Sequence, residues 1–126
     1  MQPEPADNTP FVQATLKVLG GKWKLLILWH LKDAAKRYSE LKRLMPEITE
    51  KMMIQQLREL ESDGIISRTT LSEMPPKVEY AFTDYGRTLI PVFQPLCEWG
   101  QEHLRWIKAN CATDGVESNN SASWMF

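Results

Sequence analysis

The sequence of 126 residues predicts one mainly α-helical domain with a small β-hairpin. Three observations favour this fold. Two short amphipathic segments flank Pro46, two strand-like segments (residues 65–71 and 78–82) follow Gly64, and the loop between those strands carries Pro75-Pro76 and Lys77. Two helices joined by a tight turn and followed by a hairpin with a basic tip are the outline of a winged helix-turn-helix.

Composition divides the chain into three parts. Residues 1–10 hold three prolines and few apolar side chains, and we expect an extended N-terminal arm. Residues 11–110 are expected to form the folded domain, because the chain is 43% hydrophobic and therefore has enough apolar residues for a core. Residues 111–126, rich in Ser and Asn, are expected to be a disordered C-terminal tail.

The first two helices are predicted from apolar spacing. Apolar residues recur at helical intervals from Phe11 to Leu19, and Gly20-Gly21 ends this helix. Residues 22–31 are apolar on nearly every side, so their periodicity fits a buried strand as well as a buried helix. The run of leucines and the flanking lysines favour a central buried helix.

The next two helices carry recognisable end signals. Ser39 is the expected N-cap of the first, which Pro46 ends. Thr49 is the expected N-cap of the second, with Glu50 in the first turn, where the helix dipole favours an anion. Gly64 stands where a left-handed C-terminal cap is expected.

The last helix is predicted to begin at a Thr83 cap and to reach about Asn110. Pro91 and Pro95 interrupt it. Because a proline inside a helix kinks the axis, a bend is expected there.

The net charge of −1 conceals an uneven distribution. Residues 17–58 carry ten Lys or Arg against four Asp or Glu, whereas residues 59–108 carry five against eight. Local charge rather than the total steers a protein toward a polyanion, so the basic first half is compatible with nucleic-acid binding.

The second of the two short helices has one polar side. Its apolar stripe is predicted to be Met53, Leu57 and Leu60. Its opposite side chains are Lys51, Gln55, Arg58 and Ser62. Lys, Gln and Arg donate hydrogen bonds to guanine, adenine and phosphate, although an ordinary solvated face has the same composition. Glu59 and Glu61 are predicted to lie off this face.

The hairpin and the turn add further basic residues. Pro75-Pro76 stiffen the loop, and Lys77 presents a cation near the tip, as a wing approaching the DNA backbone or minor groove does. A plain hairpin turn fits the same residues. Lys36-Arg37 and Lys42-Arg43 flank the turn and are suited to phosphates, whose contacts set affinity and register rather than sequence choice.

Catalysis and metal binding are not expected. Cys97 and Cys111 form no CxxC pair and have no ligand spacing. His30 and His103 have no neighbouring nucleophile or paired carboxylate in a recognisable arrangement, and both are interpreted as structural. No glycine-rich phosphate loop is present, so no cofactor is predicted.

No membrane partner is expected either. The N-terminus has no basic start and no apolar segment of signal-peptide type. The longest apolar run, residues 25–29, is too short to cross a bilayer. We expect a cytoplasmic protein with reduced thiols.

Five segments, in order across about residues 11–105, resemble the HxlR family of bacterial winged helix-turn-helix transcriptional regulators. They are residues 19–23 (LGGKW), 37–41 (RYSEL), 56–64 (QLRELESDG), 75–80 (PPKVEY) and 96–100 (LCEWG). The resemblance implies a repressor or activator of nearby genes, often one that responds to electrophiles, oxidants or other small stress signals.

The resemblance also implies partners and site residues. It implies a homodimer formed by the first and last helices, double-stranded DNA as a partner, and a possible small-molecule effector. Residues 49–58 become the recognition helix, residues 72–77 become the wing, and a palindromic operator is expected. The implied DNA-binding residues are Arg37, Ser39, Lys42, Thr49, Lys51, Gln55, Arg58 and Lys77.

One position departs from the redox-sensing members of that family, which carry a cysteine directly before a proline at the start of the first helix. Here the pair reads Thr9-Pro10, so sensing through that thiol is not expected. Cys97 is predicted to be a buried structural thiol on an apolar stripe, and Cys111 to lie beyond the helix. The companions of Cys97 on that stripe are Phe93, Leu96 and Leu104.

Two alternatives remain at the level of sequence. A winged helix can serve as a protein-interaction module without DNA binding, and a salt-sensitive gel shift separates the two. The tryptophans can line a ligand pocket between the core and a dimer interface, or they can be ordinary core residues. They are Trp23, Trp29, Trp99 and Trp106.

Overall fold

The computed structural model describes residues 7–114, and side chains from residue 7 to residue 111. The elements are α1 (Thr9–Leu19), α2 (Lys24–Leu31), β1 (Lys36–Arg37), α3 (Tyr38–Leu44), α4 (Glu50–Ser62), β2 (Ile66–Glu73), β3 (Pro76–Phe82), a 3-10 helix (Gly86–Leu89) and α5 (Ile90–Asp114). They form two compact units that divide between Arg87 and Thr88. Residues 1–6 of the expected arm and residues 115–126 of the expected tail lie outside the described residues.

Helix α1 begins at Thr9, two residues before the apolar pattern does. Pro10 is tolerated there because the first turn of a helix has no intrahelical acceptor for its missing N–H. Residues 9 and 10 are therefore helical rather than part of an extended arm. Gly20 ends the helix as predicted.

The ambiguous apolar segment is a helix, α2, as the leucines and lysines indicated. Ile27, Leu28 and Leu31 are buried, whereas Trp29 is exposed at the surface. The segment is therefore buried on one side only, although its sequence is apolar on nearly all sides.

The N-cap of α3 is Arg37, so the assignment of Ser39 was wrong. Arg37 has extended backbone angles because it belongs to strand β1, and its N–H donates to Oε1 of Glu40 at 2.8 Å. Ser39 lies inside the first turn of α3. The helix ends at Leu44, before Pro46, as predicted.

Both predicted ends of α4 are confirmed. Oγ1 of Thr49 accepts a hydrogen bond from the N–H of Met52 at 3.1 Å. Gly64 has φ +77°, a left-handed conformation that strains any residue with a Cβ. The predicted stripe of Met53, Leu57 and Leu60 is buried.

The hairpin belongs to a three-stranded antiparallel sheet with the order β1-β3-β2. Strand β1 was not predicted, because two residues are too few to show an alternating pattern. Both hairpin strands are longer than predicted: Glu73 pairs with Pro76, so Met74 and Pro75 alone form the turn. Pro76 is thus part of β3 rather than of the loop, and the Met74–Pro75 peptide is cis.

Thr83 does not cap the final helix. Its Oγ1 accepts a hydrogen bond from the N–H of Gly86 at 2.8 Å and so caps the short 3-10 helix that precedes α5. Pro91 lies in the first turn of α5 and does not interrupt it, whereas Pro95 lies inside it. Cys111 is within α5 rather than beyond it, and the bend at Pro95 stays a prediction.

The core of the first unit lies where α2 packs against α3, α4 and β3. Helix α3 also contacts β1 and β3, and α4 contacts β2. Its most deeply buried side chains are Ile27, Leu28, Leu41, Ile48, Met53, Leu57, Leu60 and Ile66. Packing of α4 on this core leaves its polar side outward. Within residues 7–114, no helix has both the length and the apolar character that a bilayer crossing requires.

Candidate nucleic-acid interface

The outward side of α4 has the composition that the sequence predicted. Lys51, Gln55, Arg58 and Ser62 are all exposed. Together with Ile54 and Glu59 they line a shallow depression of about 600 Å³ along the helix. We call this surface the α4 face. Four of its side chains, those of Lys51, Gln55, Arg58 and Ser62, carry hydrogen-bond donors suited to base edges or phosphates.

Glu59 was wrongly placed off this face. Its Oε2 accepts a hydrogen bond from Nε2 of Gln55 at 3.2 Å, and its Oε1 lies 2.6 Å from Nζ of Lys24. The hydrogen bond from Lys24, followed by the one from Gln55, holds the pKa of the Glu59 carboxyl below its ordinary value. Glu59 is therefore an anion at neutral pH, directly beside a predicted base-reading residue.

A larger groove lies between the start of α3, helix α4 and the hairpin. Its volume is about 790 Å³, and it is lined by the predicted residues Arg37, Ser39, Arg58 and Lys77. We call it the wing groove. Arg58 lines both the wing groove and the α4 face, so the two surfaces are continuous.

Two residues of the wing groove were not predicted. Arg68, on β2, is exposed and adds a cation to the wall that the hairpin forms. The Tyr38 hydroxyl is buried and has no hydrogen-bond partner in the described part of the chain. Burial, and then the charges of Glu50 and Tyr80, raise the pKa of Tyr38, so the phenol remains a proton donor.

The wing groove is basic overall but not uniformly so. Four cations line it, namely Arg37, Arg58, Arg68 and Lys77. Two acids line it as well, Glu50 and Glu61. Arg37 is partly neutralised because its Nε lies 3.9 Å from Oε1 of Glu40. Arg58, Arg68 and Lys77 form no ion pair with the residues that the structure describes.

Lys42 and Thr49 line neither concavity. Nζ of Lys42 donates to the carbonyl oxygen of Ile48 at 2.6 Å, which ties α3 to the turn before α4. The Thr49 hydroxyl caps α4. Both residues therefore have structural roles. The role of Thr49 was predicted from the sequence, whereas that of Lys42 was not.

Part of the basic first half serves the fold. Lys32 pairs with Asp33 at 2.8 Å, and its ammonium lies 4.3 Å from the centre of the Trp29 ring. Lys22 lies 4.7 Å from the centre of the Trp23 ring. The excess of positive charge counted along the sequence therefore overstates the charge available to a polyanion.

A family model described as HxlR-like helix-turn-helix matches residues 18–108. The chain belongs to the HxlR family. The match covers α2, α3, α4 and the hairpin, which together form the winged helix-turn-helix, and most of α5.

Several known proteins and solved structures are similar to this chain. YtcD of Bacillus subtilis, named an uncharacterised HTH-type transcriptional regulator, is 58% identical over 93 residues, which are 74% of each chain. The crystal structure of YtcD has a TM-score of 0.71 at 56% identity, covering 75% of this chain and 96% of that one.

Two similar structures are named as ligand- or redox-related regulators. The redox regulator HypR in its oxidised form has a TM-score of 0.66 at 48% identity, covering 72% of this chain and 94% of that one. Quinone-bound YodB of B. subtilis has a TM-score of 0.63 at 31% identity, covering 74% and 98% respectively.

Helix α5 of this HxlR-family chain carries a row of stacked rings. The His103 ring lies 4.8 Å from that of Trp99 and 5.9 Å from that of Trp106, nearly parallel to both. Trp99, His103 and Trp106, with Glu102, line a depression of about 380 Å³ on this helix. Trp99 and Trp106 are 66% and 62% exposed, so neither is an ordinary core residue.

The two thiols are half-buried and unpaired. The apolar stripe predicted around Cys97 is only partly buried. Phe93 is buried, whereas Leu96 and Leu104 are exposed. At the start of α1, the position of the family's sensing cysteine is Thr9, whose N–H donates to Oδ1 of Asp7 at 2.9 Å. In residues 7–111 no group of three or more His, Cys, Asp or Glu is placed to hold a metal ion.

Proposed function

We propose that the chain is a sequence-specific transcriptional regulator that binds double-stranded DNA with α4 in the major groove. The observation that carries this proposal is the α4 face: Lys51, Gln55 and Arg58 point outward from a helix whose opposite side is locked into the core. A helix of this kind fits the width of the major groove. Family membership and the names of the relatives support the same function.

The hairpin supplies the second contact. In this proposal Lys77 and Arg68 approach the phosphate backbone or the minor groove while Arg58 stands between them and the base edges. Among the residues that the structure describes, no acidic side chain forms an ion pair with Lys77, Arg68 or Arg58. Their charges are therefore available to displace counterions from DNA, which is the main source of affinity for such proteins.

We further propose that two copies associate through α1 and α5 and bind a palindromic operator. On α1, Phe11, Val12 and Leu16 are exposed, although they are apolar and spaced for one helix face. Unpartnered apolar faces of this kind mark association surfaces in soluble proteins.

Helix α5 has a heptad-like row of side chains, spaced alternately four and three residues apart, that was not predicted from the sequence. Four of its members are exposed and His103 is half-buried; in order they are Val92, Leu96, Trp99, His103 and Trp106. This spacing is that of the seam between two packed helices. The partly exposed tryptophans would supply most of the area buried on association.

Selection of bound sequences from a random pool of duplex DNA tests the proposal. We expect enrichment of a palindrome whose half-sites lie about one helical turn apart, because two α4 helices related by a two-fold axis enter successive major grooves. Recovery of sequences that share no enriched motif would contradict sequence-specific binding. Recovery of a single, non-repeated half-site would contradict the dimer only.

A response to a small stress-related molecule is part of the proposal, supported by the similarity to HypR and to quinone-bound YodB. Sensing through an N-terminal thiol is not, because Thr9 occupies that position. Operator titration before and after treatment with peroxide or a quinone shows whether binding responds, and loss of the response in Cys97→Ser or in Cys111→Ser assigns that role to the thiol concerned.

The alternative function is a winged-helix module that binds another protein. The two acids of the wing groove, Glu50 and Glu61, are the observation that favours it, since they oppose a phosphate backbone. A gel shift with random duplex DNA at rising salt separates the two. DNA binding by Lys and Arg weakens steeply with salt, whereas a protein-binding module gives no shift at any salt concentration.

A further inference from the structure

Beneath the α4 face lies a buried positive charge. The side chain of Lys24, on α2, is only 8% exposed, and its Nζ lies 2.6 Å from Oε1 of Glu59. A buried ammonium group needs a counter-charge, because the protein interior solvates ions poorly. Glu59 is therefore held in place from below, although its own side chain is 43% exposed.

The same carboxylate fixes the amide of Gln55. Oε2 of Glu59 accepts from Nε2 of Gln55 at 3.2 Å, across the single helical turn that separates residues four apart. Because a carboxylate only accepts hydrogen bonds, the amide nitrogen must face Glu59 and the amide oxygen must point away from it. The orientation of this amide is thus set by charge, not by a free choice of rotamer.

This orientation has a consequence for recognition. An oriented glutamine amide offers one carbonyl acceptor and one remaining N–H donor in the same plane. Adenine presents the complementary pair, the N6 donor and the N7 acceptor, at its major-groove edge. A side chain that is already ordered in the free protein loses less freedom on binding.

We propose that Lys24 and Glu59 are positioning residues that orient the Gln55 amide to read adenine at one position of each half-site. This inference rests on the DNA binding proposed above. Gln55 touches the base; Glu59 acts through Gln55, and Lys24 acts through Glu59.

The first test uses the free, full-length protein. Nitrogen-15 relaxation of the Gln55 side-chain amide, identified by its loss in Gln55→Ala, reports whether the group is ordered. We expect an ordered amide in the wild type and a mobile one in Glu59→Gln. The matched control is Asp33→Asn, which removes a carboxylate paired with another lysine at 2.8 Å, and it should leave the amide ordered. An amide equally mobile in wild type and Glu59→Gln overturns the proposal whatever the DNA experiments give.

The second test measures base preference. Competition among operators that carry each of the four bases at every position gives a profile for each variant, and Gln55→Ala identifies the position it reads. We expect Glu59→Gln to lower the adenine preference at that position about two- to tenfold, the equivalent of ordering one side chain, and to leave the other positions unchanged. Lys24→Met should also lower the adenine preference at that position. Lys24→Arg, which keeps the positive charge, should retain the wild-type profile.

Removing Glu59 alone leaves Lys24 buried without its partner, so Glu59→Gln is at risk of unfolding. The double variant Lys24→Met/Glu59→Gln removes both charges and keeps the test valid, with the same expected loss of preference. An unchanged profile in a folded double variant overturns the inference and leaves DNA binding intact. A sharper profile also overturns it, since Glu59 would then compete with the base. A wild type without sequence preference overturns the proposed function and this inference together.

Discussion

The ammonium of Lys42 donates a hydrogen bond of 2.6 Å to the carbonyl oxygen of Ile48, across the turn that joins α3 to α4. The contact is partly buried, and Ile48 itself is in the core. Lys42→Met should therefore lower the free energy of unfolding by about 1 to 2 kcal/mol, the range for a charged hydrogen bond with some solvent access. Urea unfolding measures this change in the free energy of unfolding. The control is Arg43→Met, at an exposed neighbouring residue, which is expected to change stability by less than about 0.5 kcal/mol. Equal values for the two variants would show that the Lys42 contact is not stabilising.

Arg58 and Lys51 should separate base reading from charge. Arg58→Ala is expected to cost about 1 to 3 kcal/mol of operator binding and to relax preference at one base pair, if its guanidinium reads guanine. Lys51→Ala should weaken binding, and neither change should alter the thermal midpoint, because both side chains are exposed. The control is Arg105→Ala, which makes the same change in net charge as Arg58→Ala but lies on α5, outside the α4 face. If the double Arg58/Lys51 variant binds as the wild type does, α4 is not the recognition helix.

Arg68 should contribute to affinity without affecting specificity. Its place on β2, beside Lys77 in the wing groove, favours a phosphate contact. Arg68→Ala should therefore weaken binding to all sequences alike and reduce the slope of log K against log salt by about 0.9. Titrations at four salt concentrations with operator and random duplexes measure both effects. A change confined to the operator would instead mean that Arg68 reads bases.

The tryptophans of α5 should control association. Trp99 is 66% exposed, and truncation of a buried interface tryptophan costs at least about 2 kcal/mol, so Trp99→Ala should raise the dimer dissociation constant about thirtyfold. Sedimentation equilibrium measures the constant, and Gln101→Ala, an exposed residue of the same helix, is the control. An intact dimer after deletion of residues 96–126 would rule out α5 as the dimer interface.

His30 should make stability depend on pH. Burial, and then the charges of Lys36 and Lys32, lower its pKa below the ordinary value of 6.5. Protonation is therefore harder in the folded than in the unfolded chain, so stability is complete above pH 6.5 and is lost as pH falls through the lower folded value. Thermal midpoints at pH 7.5 and 5.5 should differ less in His30→Gln than in the wild type. An identical difference would assign the acid sensitivity to other groups.

Local signals in the sequence predicted several helix ends but misassigned two N-caps. Thr49 and Gly64 were predicted because a cap hydroxyl and a left-handed glycine act within one turn of the chain. Ser39 and Thr83 were misassigned as caps of the helices that follow them. Ser39 lost this role because Arg37 is held extended in β1 by pairing with β3, a contact some forty residues away along the chain.

One part of the candidate site could be predicted from the sequence, and the other part could not. The α4 face followed from helical periodicity, since one buried stripe fixes the opposite side. The wing groove did not, because Arg68 and Tyr38 reach it only when the hairpin folds back toward α3 and α4.

By itself the sequence determined the helices, the hairpin, the family resemblance and the outward side of α4, because each depends on short-range spacing and on the burial of one apolar stripe. Only the tertiary structure decided which charges remain available. Lys24 and Lys42 look equivalent to Lys51 in the sequence, but one is buried against Glu59 and the other bonds to Ile48. Ion pairs and hydrogen bonds between distant segments depend on three-dimensional distances, which residue spacing along the chain does not contain.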